Sequence, residues 1–273
     1  MRIFWERYGE GDRNVVLMPG WPMSPARVWK AQIPYLARHL RVVAFDPRGN
    51  GRSDRFEDLA SSSPSGFAAD TLAVMDAAEM ERAVVVTIGP GAQTALILAA
   101  EHPDRVEGAV LITPDPWAAD QYLDSFGKGD LDTYEGWDKF NPTYWRQDWQ
   151  GFARWWASTV SAEPHSTRQI EDLTAWIAAA DPEAITAYAF EMGLTDREEV
   201  LAGARRVRCP VLVIYDDERK IASEDTWTPL AEATGGRLLK IEGANHLGPG
   251  RYPVPFNLAL RQFVDSTRGA IYA

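Results

Sequence analysis

Thr87-Ile88-Gly89-Pro90-Gly91 decides the fold of this chain. It follows the apolar run Ala83-Val84-Val85-Val86 and leads into Ala92-Gln93-Thr94-Ala95-Leu96-Ile97-Leu98-Ala99-Ala100-Glu101-His102-Pro103. A short valine-rich run reads as a buried strand, the Gly/Pro cluster as a sharp turn, and the segment after it as a helix. That strand, turn and helix is the context in which a G-x-S-x-G motif lifts a nucleophilic serine above a sheet. Counting back from His102-Pro103, the serine position falls on Gly89. Glycine accepts the backbone such a turn demands, but it has no atom that can attack a carbonyl.

Outward from this turn, short apolar runs alternate with amphipathic segments. Strands are predicted at Ile3 to Arg7, Val15 to Met18, Arg41 to Phe45, Ala83 to Val86, Ala109 to Ile112, Val211 to Tyr215 and Leu238 to Ile241. Helices are predicted at Val28 to His39, Gly66 to Ala78, Ala92 to His102, Glu224 to Ala233 and Pro255 to Ser266. Alternation with near-continuous apolar strands implies an α/β fold, a mostly parallel sheet covered on both faces. Its working groups are expected at the carboxyl ends of the strands.

Residues 117 to 195 break the rhythm. They hold no convincing strand, yet seven of the eleven tryptophans fall there: Trp117, Trp137, Trp145, Trp149, Trp155, Trp156 and Trp176. This segment is read as a helical cap inserted into a core formed by residues 1–116 and 196–273. Tryptophan suits sites that are apolar at one end and hydrogen-bonded at the other. Most of these rings are expected to hold the cap together, with a few lining a pocket.

Composition excludes several classes. The formal charge of −11 over 273 residues argues against nucleic acid or an anionic membrane as partner, since both require a basic face. Cys209 is the single cysteine, so no disulfide framework is expected within the chain. No run approaches membrane-spanning length, and the N-terminus lacks the apolar core of a secretion signal. A cytoplasmic protein is expected. Neither a G-x-G-x-x-G after the first strands nor a Walker pattern is present, and the four scattered histidines have no metal-ligand spacing. No cofactor and no metal are expected.

Four blocks carry a family resemblance, in order: Met18-Pro19-Gly20-Trp21-Pro22, Phe45-Asp46-Pro47-Arg48-Gly49-Asn50-Gly51-Arg52-Ser53-Asp54, the turn at Gly89, and Gly243-Ala244-Asn245-His246. Through them the chain resembles the α/β-hydrolase superfamily over nearly its whole length, which implies that fold with an inserted helical cap. Arg48 to Asp54 and the cap segment Glu163 to Asp172 are most similar to bacterial domains, the hydrolase-like ones found with actinobacterial adenylate or guanylate cyclases. Pro19-Gly20-Trp21 and an aspartate after the strand ending at Ile112 give a weaker likeness to cofactor-independent quinolone dioxygenases.

The resemblance assigns the family's histidine to His246. Its acid usually follows the strand ending at Tyr215, but the expected position is Arg219. Asp217 is the neighbouring alternative, and Asp115, in Thr113-Pro114-Asp115-Pro116-Trp117, is the first choice. One oxyanion donor would be the N–H after the nucleophile, where Pro90 has none. The other matches the backbone N–H of Trp21. Loss of serine, donor and usual acid weakens ester hydrolysis by independent routes.

What is expected instead is a cofactor-free enzyme in which His246, oriented by an aspartate, acts as general base on a small hydrophobic or aromatic substrate. Elimination, ring opening or closure, or oxygenation would follow. Trp21, Trp117, Trp145, Trp149 and Trp156 are the expected pocket residues. Two alternatives stand beside it: a hydrolase in which His246 activates water directly, and a non-catalytic ligand-binding protein that has kept the pocket.

Overall fold

The computed structural model describes residues 1–55, 61–117, 124–162, 164–190, 196–215, 224–242 and 247–267, with 191–194 as backbone. Seven strands form one sheet: β1 (Trp5–Tyr8), β2 (Asn14–Leu17), β3 (Arg41–Phe45), β4 (Ala83–Ile88), β5 (Val106–Ile112), β6 (Val211–Tyr215) and β7 (Arg237–Lys240). Their order is β1-β3-β2-β4-β5-β6-β7. Only β1 runs antiparallel, paired with β3, and every other pairing is parallel. The centre is β4, whose six residues are all buried.

Alternate residues of these strands feed two separate cores, as the two-residue period requires. Val16, Val43, Val85, Leu111 and Val213 face one side. Val15, Val42, Val84, Val110 and Leu212 face the other. The first face is covered by α2 (Pro64–Ala77), α3 (Gly91–Glu101), α8 (Arg197–Ala204) and α9 (Glu224–Thr234). The second is covered by α1 (Ile33–Leu36) and, after the short α10 (Gly248–Arg251), by α11 (Pro253–Ser266), through Leu36, Phe256, Leu260 and Phe263. Each such side chain stabilises the fold by about 1.5–3 kcal/mol on full burial.

The helix predicted from Val28 to His39 is corrected. The chain makes a 3-10 turn at Ala26–Trp29 and then the four-residue α1. Pro34 explains the break, since it lacks an N–H and its ring would meet the carbonyl four residues back. It is tolerated in a first turn, where it lies here. The short α8 was not foreseen; Asp196 caps it by accepting from the Glu198 N–H.

Between β5 and β6 the described cap residues form α4 (Pro142–Gln147), α5 (Trp149–Val160), α6 (Thr167–Ala178) and α7 (Pro182–Leu194). No strand occurs among them. In α5, Trp149, Phe152 and Trp156 recur at helical spacing, so one face is aromatic. Asp148 caps that helix, accepting from the Gly151 N–H at 2.7 Å. Phe140 lies at the centre of this third cluster, 5.2 Å from Trp145, 5.5 Å from Trp156 and 5.9 Å from Trp21 between ring centroids. No described helix is long and apolar enough to cross a membrane.

Candidate active site

The junction of β4 and α3 is a sharp turn whose crest is Gly89, at φ 58°. L side chains rarely adopt that backbone, so glycine fits it without strain. Both backbone groups of Gly89 are committed. Its N–H donates to Ile112 O at 2.9 Å, and its carbonyl accepts from the N–H groups of Ala92 and Asp115, each at 3.1 Å. Pro90 follows at φ −59°, ready for the helix, with no hydrogen to donate.

Two residues on, Gly91 makes the turn possible. A Cβ there would lie 2.1 Å from Thr87 Oγ1 and 2.8 Å from Pro19 O. The elbow is therefore packed directly against the Pro19–Trp21 loop, and the Thr87 hydroxyl donates to Pro19 O at 3.3 Å.

That loop is held from behind by the block around Asp46. The Asp46 carboxylate accepts from the N–H groups of Ala26 and Arg52, both at 2.9 Å, and Asn50 Nδ2 donates to Pro22 O at 2.9 Å. Arg48 forks onto the Asp70 carboxylate at 2.6 and 2.5 Å, fixing the same segment to α2. The charged residues of this block are therefore structural.

Trp21 is buried, with its ring in the cap cluster. Its indole N–H has no partner among the described residues. The other indoles nearby are satisfied: Trp145 Nε1 donates to Lys139 O and Trp149 Nε1 to Ile177 O, each at 3.0 Å. Trp156 joins the same cluster. Trp117 does not, since it packs against the first sheet core with the Arg197 guanidinium 5.3 Å over its ring.

Asp115 lies beside the elbow, tied to Gly89 O through its backbone N–H. Only 3% of it is exposed. Burial pushes its pKa up to about 8. The loop reaching it passes through Thr113 at φ 41°, unusual for a β-branched residue. Strain of this kind persists where surrounding structure enforces it, often near working sites. His246 and Asp217 fall in 243–246 and 216–223, outside the described residues. Leu247, next to His246, packs against both the second sheet core and the cap cluster.

Sequence reasoning missed Tyr188. This cap residue is buried, is hydrogen-bonded to Thr94 in the second turn of α3, and meets Phe67 edge-on at 5.2 Å. Burial pushes its hydroxyl up to about 12, so it stays neutral. A lone tyrosine in a helical pattern carries no signal of that partner.

A small cavity opens at the end of the elbow strand. Its volume is about 60 Å³, and Ile88, Leu247, Lys30, Arg168, Asp172 and Trp176 are among its walls. Ile88 precedes Gly89, so the cavity adjoins the crest.

Known proteins share this architecture. The chain is 30% identical over 128 residues to the Karrikin insensitive 2 receptor IA of Petunia hybrida, covering 45% of this chain and 46% of that protein. The match thus takes in about half of the receptor's length. It is 28% identical over 275 residues to the pimeloyl-(acyl-carrier protein) methyl ester esterase of Edwardsiella ictaluri, covering 96% of this chain and 97% of that one. A hydrolase from Oleispira antarctica superposes with a TM-score of 0.80 at 20% identity, covering 96% of this chain and 94% of that chain. That likeness speaks to fold alone. The family model for the alpha/beta hydrolase fold matches residues 13–249, and with the seven-stranded sheet and the elbow in place this chain belongs to the α/β-hydrolase family.

Proposed function

We propose that this chain is a cofactor-free α/β-hydrolase-fold enzyme that works without a serine nucleophile. In this reading His246 and Asp115 act as an acid–base pair on a small hydrophobic or aromatic molecule held under the cap. The observation that carries it is the crest of the elbow, Gly89 at φ 58° followed by Pro90. Acyl transfer needs an attacking atom and a donor at that crest, and losing a single donor costs about a hundredfold to a thousandfold. Proton transfer needs neither.

A general base works best when its pKa lies near the working pH, in a site that excludes water. The burial of Asp115 and its raised pKa of about 8 support such a role. The His246 imidazole takes the substrate's proton, and Asp115, once ionised as pH rises through its value of about 8, accepts the other ring N–H and offsets the positive charge that forms. The pair then titrates as a unit. The unpartnered Trp21 indole N–H is a donor for an oxygen that gains charge. Elimination, ring opening or oxygenation of the carbanion would each follow from that first step.

A second reading, ligand binding without turnover, draws on the same loss at the elbow and on the likeness to a protein named as a receptor. One assay separates the two. 5-Nitrobenzisoxazole reports a general base in an apolar pocket, because removal of its C–H proton breaks the N–O bond and releases a coloured phenolate. Saturable turnover above buffer is expected, falling at least a hundredfold in His246→Ala and in Asp115→Asn. Turnover at the buffer rate, or turnover untouched by both substitutions, contradicts the enzymatic reading.

A further inference from the structure

The cavity beside the elbow has a charge pattern at odds with the rest of the molecule. Among the described residues its charged walls are Lys30 and Arg168 against one carboxylate, Asp172, while Glu171, which is not one of the walls, lies 3.6 Å from Arg168; the chain as a whole has a formal charge of −11. Lys30 follows the 3-10 turn Ala26–Trp29 of the core, whereas Arg168 and Asp172 stand on cap helix α6. Lys30 pairs with Asp172 across the gap, and Arg168 Nη2 reaches the other oxygen of Asp172 at 3.0 Å. The Lys30 ammonium also sits 5.7 Å from the Trp176 ring centroid. Asp172 is mostly buried, but Lys30 and Arg168 are half exposed or more, so both keep donors open to an incoming anion.

Behind these charges the walls are apolar: Ile88, Leu173, Leu247 and the Trp176 face. Gln169 also lines the space, and its buried amide oxygen has no partner among the described residues. Turning that amide would present Nε2 as a further donor. The size narrows the ligand. An apolar cavity of roughly 150 Å³ admits benzene, and this one is about 60 Å³. A ring does not fit here, but a short aliphatic segment does.

We propose that Lys30 and Arg168 form an anion-recognising mouth, and that the ligand carries a carboxylate on a short aliphatic arm. The carboxylate shares or replaces Asp172 as their partner, and the arm lies against Trp176, Leu173 and Ile88. Guanidinium and ammonium groups favour carboxylates through charge-assisted hydrogen bonds. An arm held there directs the remainder of the ligand toward the neighbouring crest at Gly89. The inference deepens the proposed function and rests on that reading for what happens to the ligand, though not for whether it binds.

Binding is therefore measured without turnover, by saturation-transfer NMR and calorimetry with sodium butyrate as probe and butyramide as its neutral counterpart. Butyrate should bind saturably, at least about tenfold tighter than butyramide, and more weakly as salt is raised. The Lys30→Gln/Arg168→Gln double variant should lose about tenfold in butyrate affinity and leave butyramide unchanged. Both changes are on exposed side chains, and an unaltered melting temperature confirms the fold. Equal binding of the two probes, or undiminished butyrate binding by the double variant, overturns the inference. If binding fails while the benzisoxazole reaction persists, the mouth alone is wrong; if butyrate binds and no elimination occurs, the mouth stands and the enzymatic reading falls.

Discussion

Among the described residues, Asp115 is the one whose titration departs furthest from its ordinary value. Desolvation raises its carboxyl from 3.8 to about 8. Between those values the folded state holds a proton that the unfolded chain has released, so stability falls as pH rises through this window. The loss is on the order of 1.4 kcal/mol per pH unit within it. Asp115→Asn removes the titration. Its melting temperature relative to wild type should therefore climb from pH 5 to pH 8.5, as calorimetry across that range would record. A gap constant with pH would mean that the carboxyl stays ionised through another partner. In sequence Asp115 stood out because it follows β5, between two prolines. Its burial and the left-handed Thr113 before it depend on tertiary packing, which no local pattern encodes.

At the scale of elements, the elbow is a strand and a helix joined by backbone that only small residues allow. Gly91→Ala would set a methyl 2.1 Å from Thr87 Oγ1 and 2.8 Å from the Pro19 carbonyl. The hydroxyl can rotate away, but the carbonyl belongs to the loop that carries Trp21. A loss of about 1–3 kcal/mol is expected in urea unfolding, and a variant as stable as wild type would show that the loop is looser than described. The strands were legible because β-branched apolar runs bounded by turn residues have few other uses; β3 and β6 fall where their valines and isoleucines place them. Helix limits were less so, and Pro34 interrupted one outright. Trp145, Trp149 and Trp156, expected as pocket residues, share one aromatic cluster, Trp149 and Trp156 from α5 and Trp145 from α4. Trp117 precedes the cap helices, and its packing against the sheet core is a tertiary outcome.

At the scale of the whole molecule, the described residues join cap and core through the apolar cluster that takes in Trp21, Met23 and Phe67 and through dispersed polar ties. Ser62 Oγ donates to Ala184 O at 3.0 Å, Arg55 to Ala179 O and Arg251 to Pro164 O at 3.1 Å, and Tyr188 pairs with Thr94. Tyr188→Phe should cost about 1 kcal/mol, a few degrees in melting temperature, because Thr94 loses a buried partner. An unchanged melting temperature would assign the cap's seating to its aromatic cluster alone. Together these ties hold the cap on the core, and the proposed function reads the crest at Gly89 as backbone where a nucleophile would stand. Intact-mass spectrometry after a fluorophosphonate probe tests that claim most directly. The wild-type chain should take up no adduct, because Gly89 offers no oxygen, while Gly89→Ser supplies a hydroxyl at the crest that can be labelled. An adduct on the wild-type chain, mapped to a serine whose modification abolishes activity, would contradict the account.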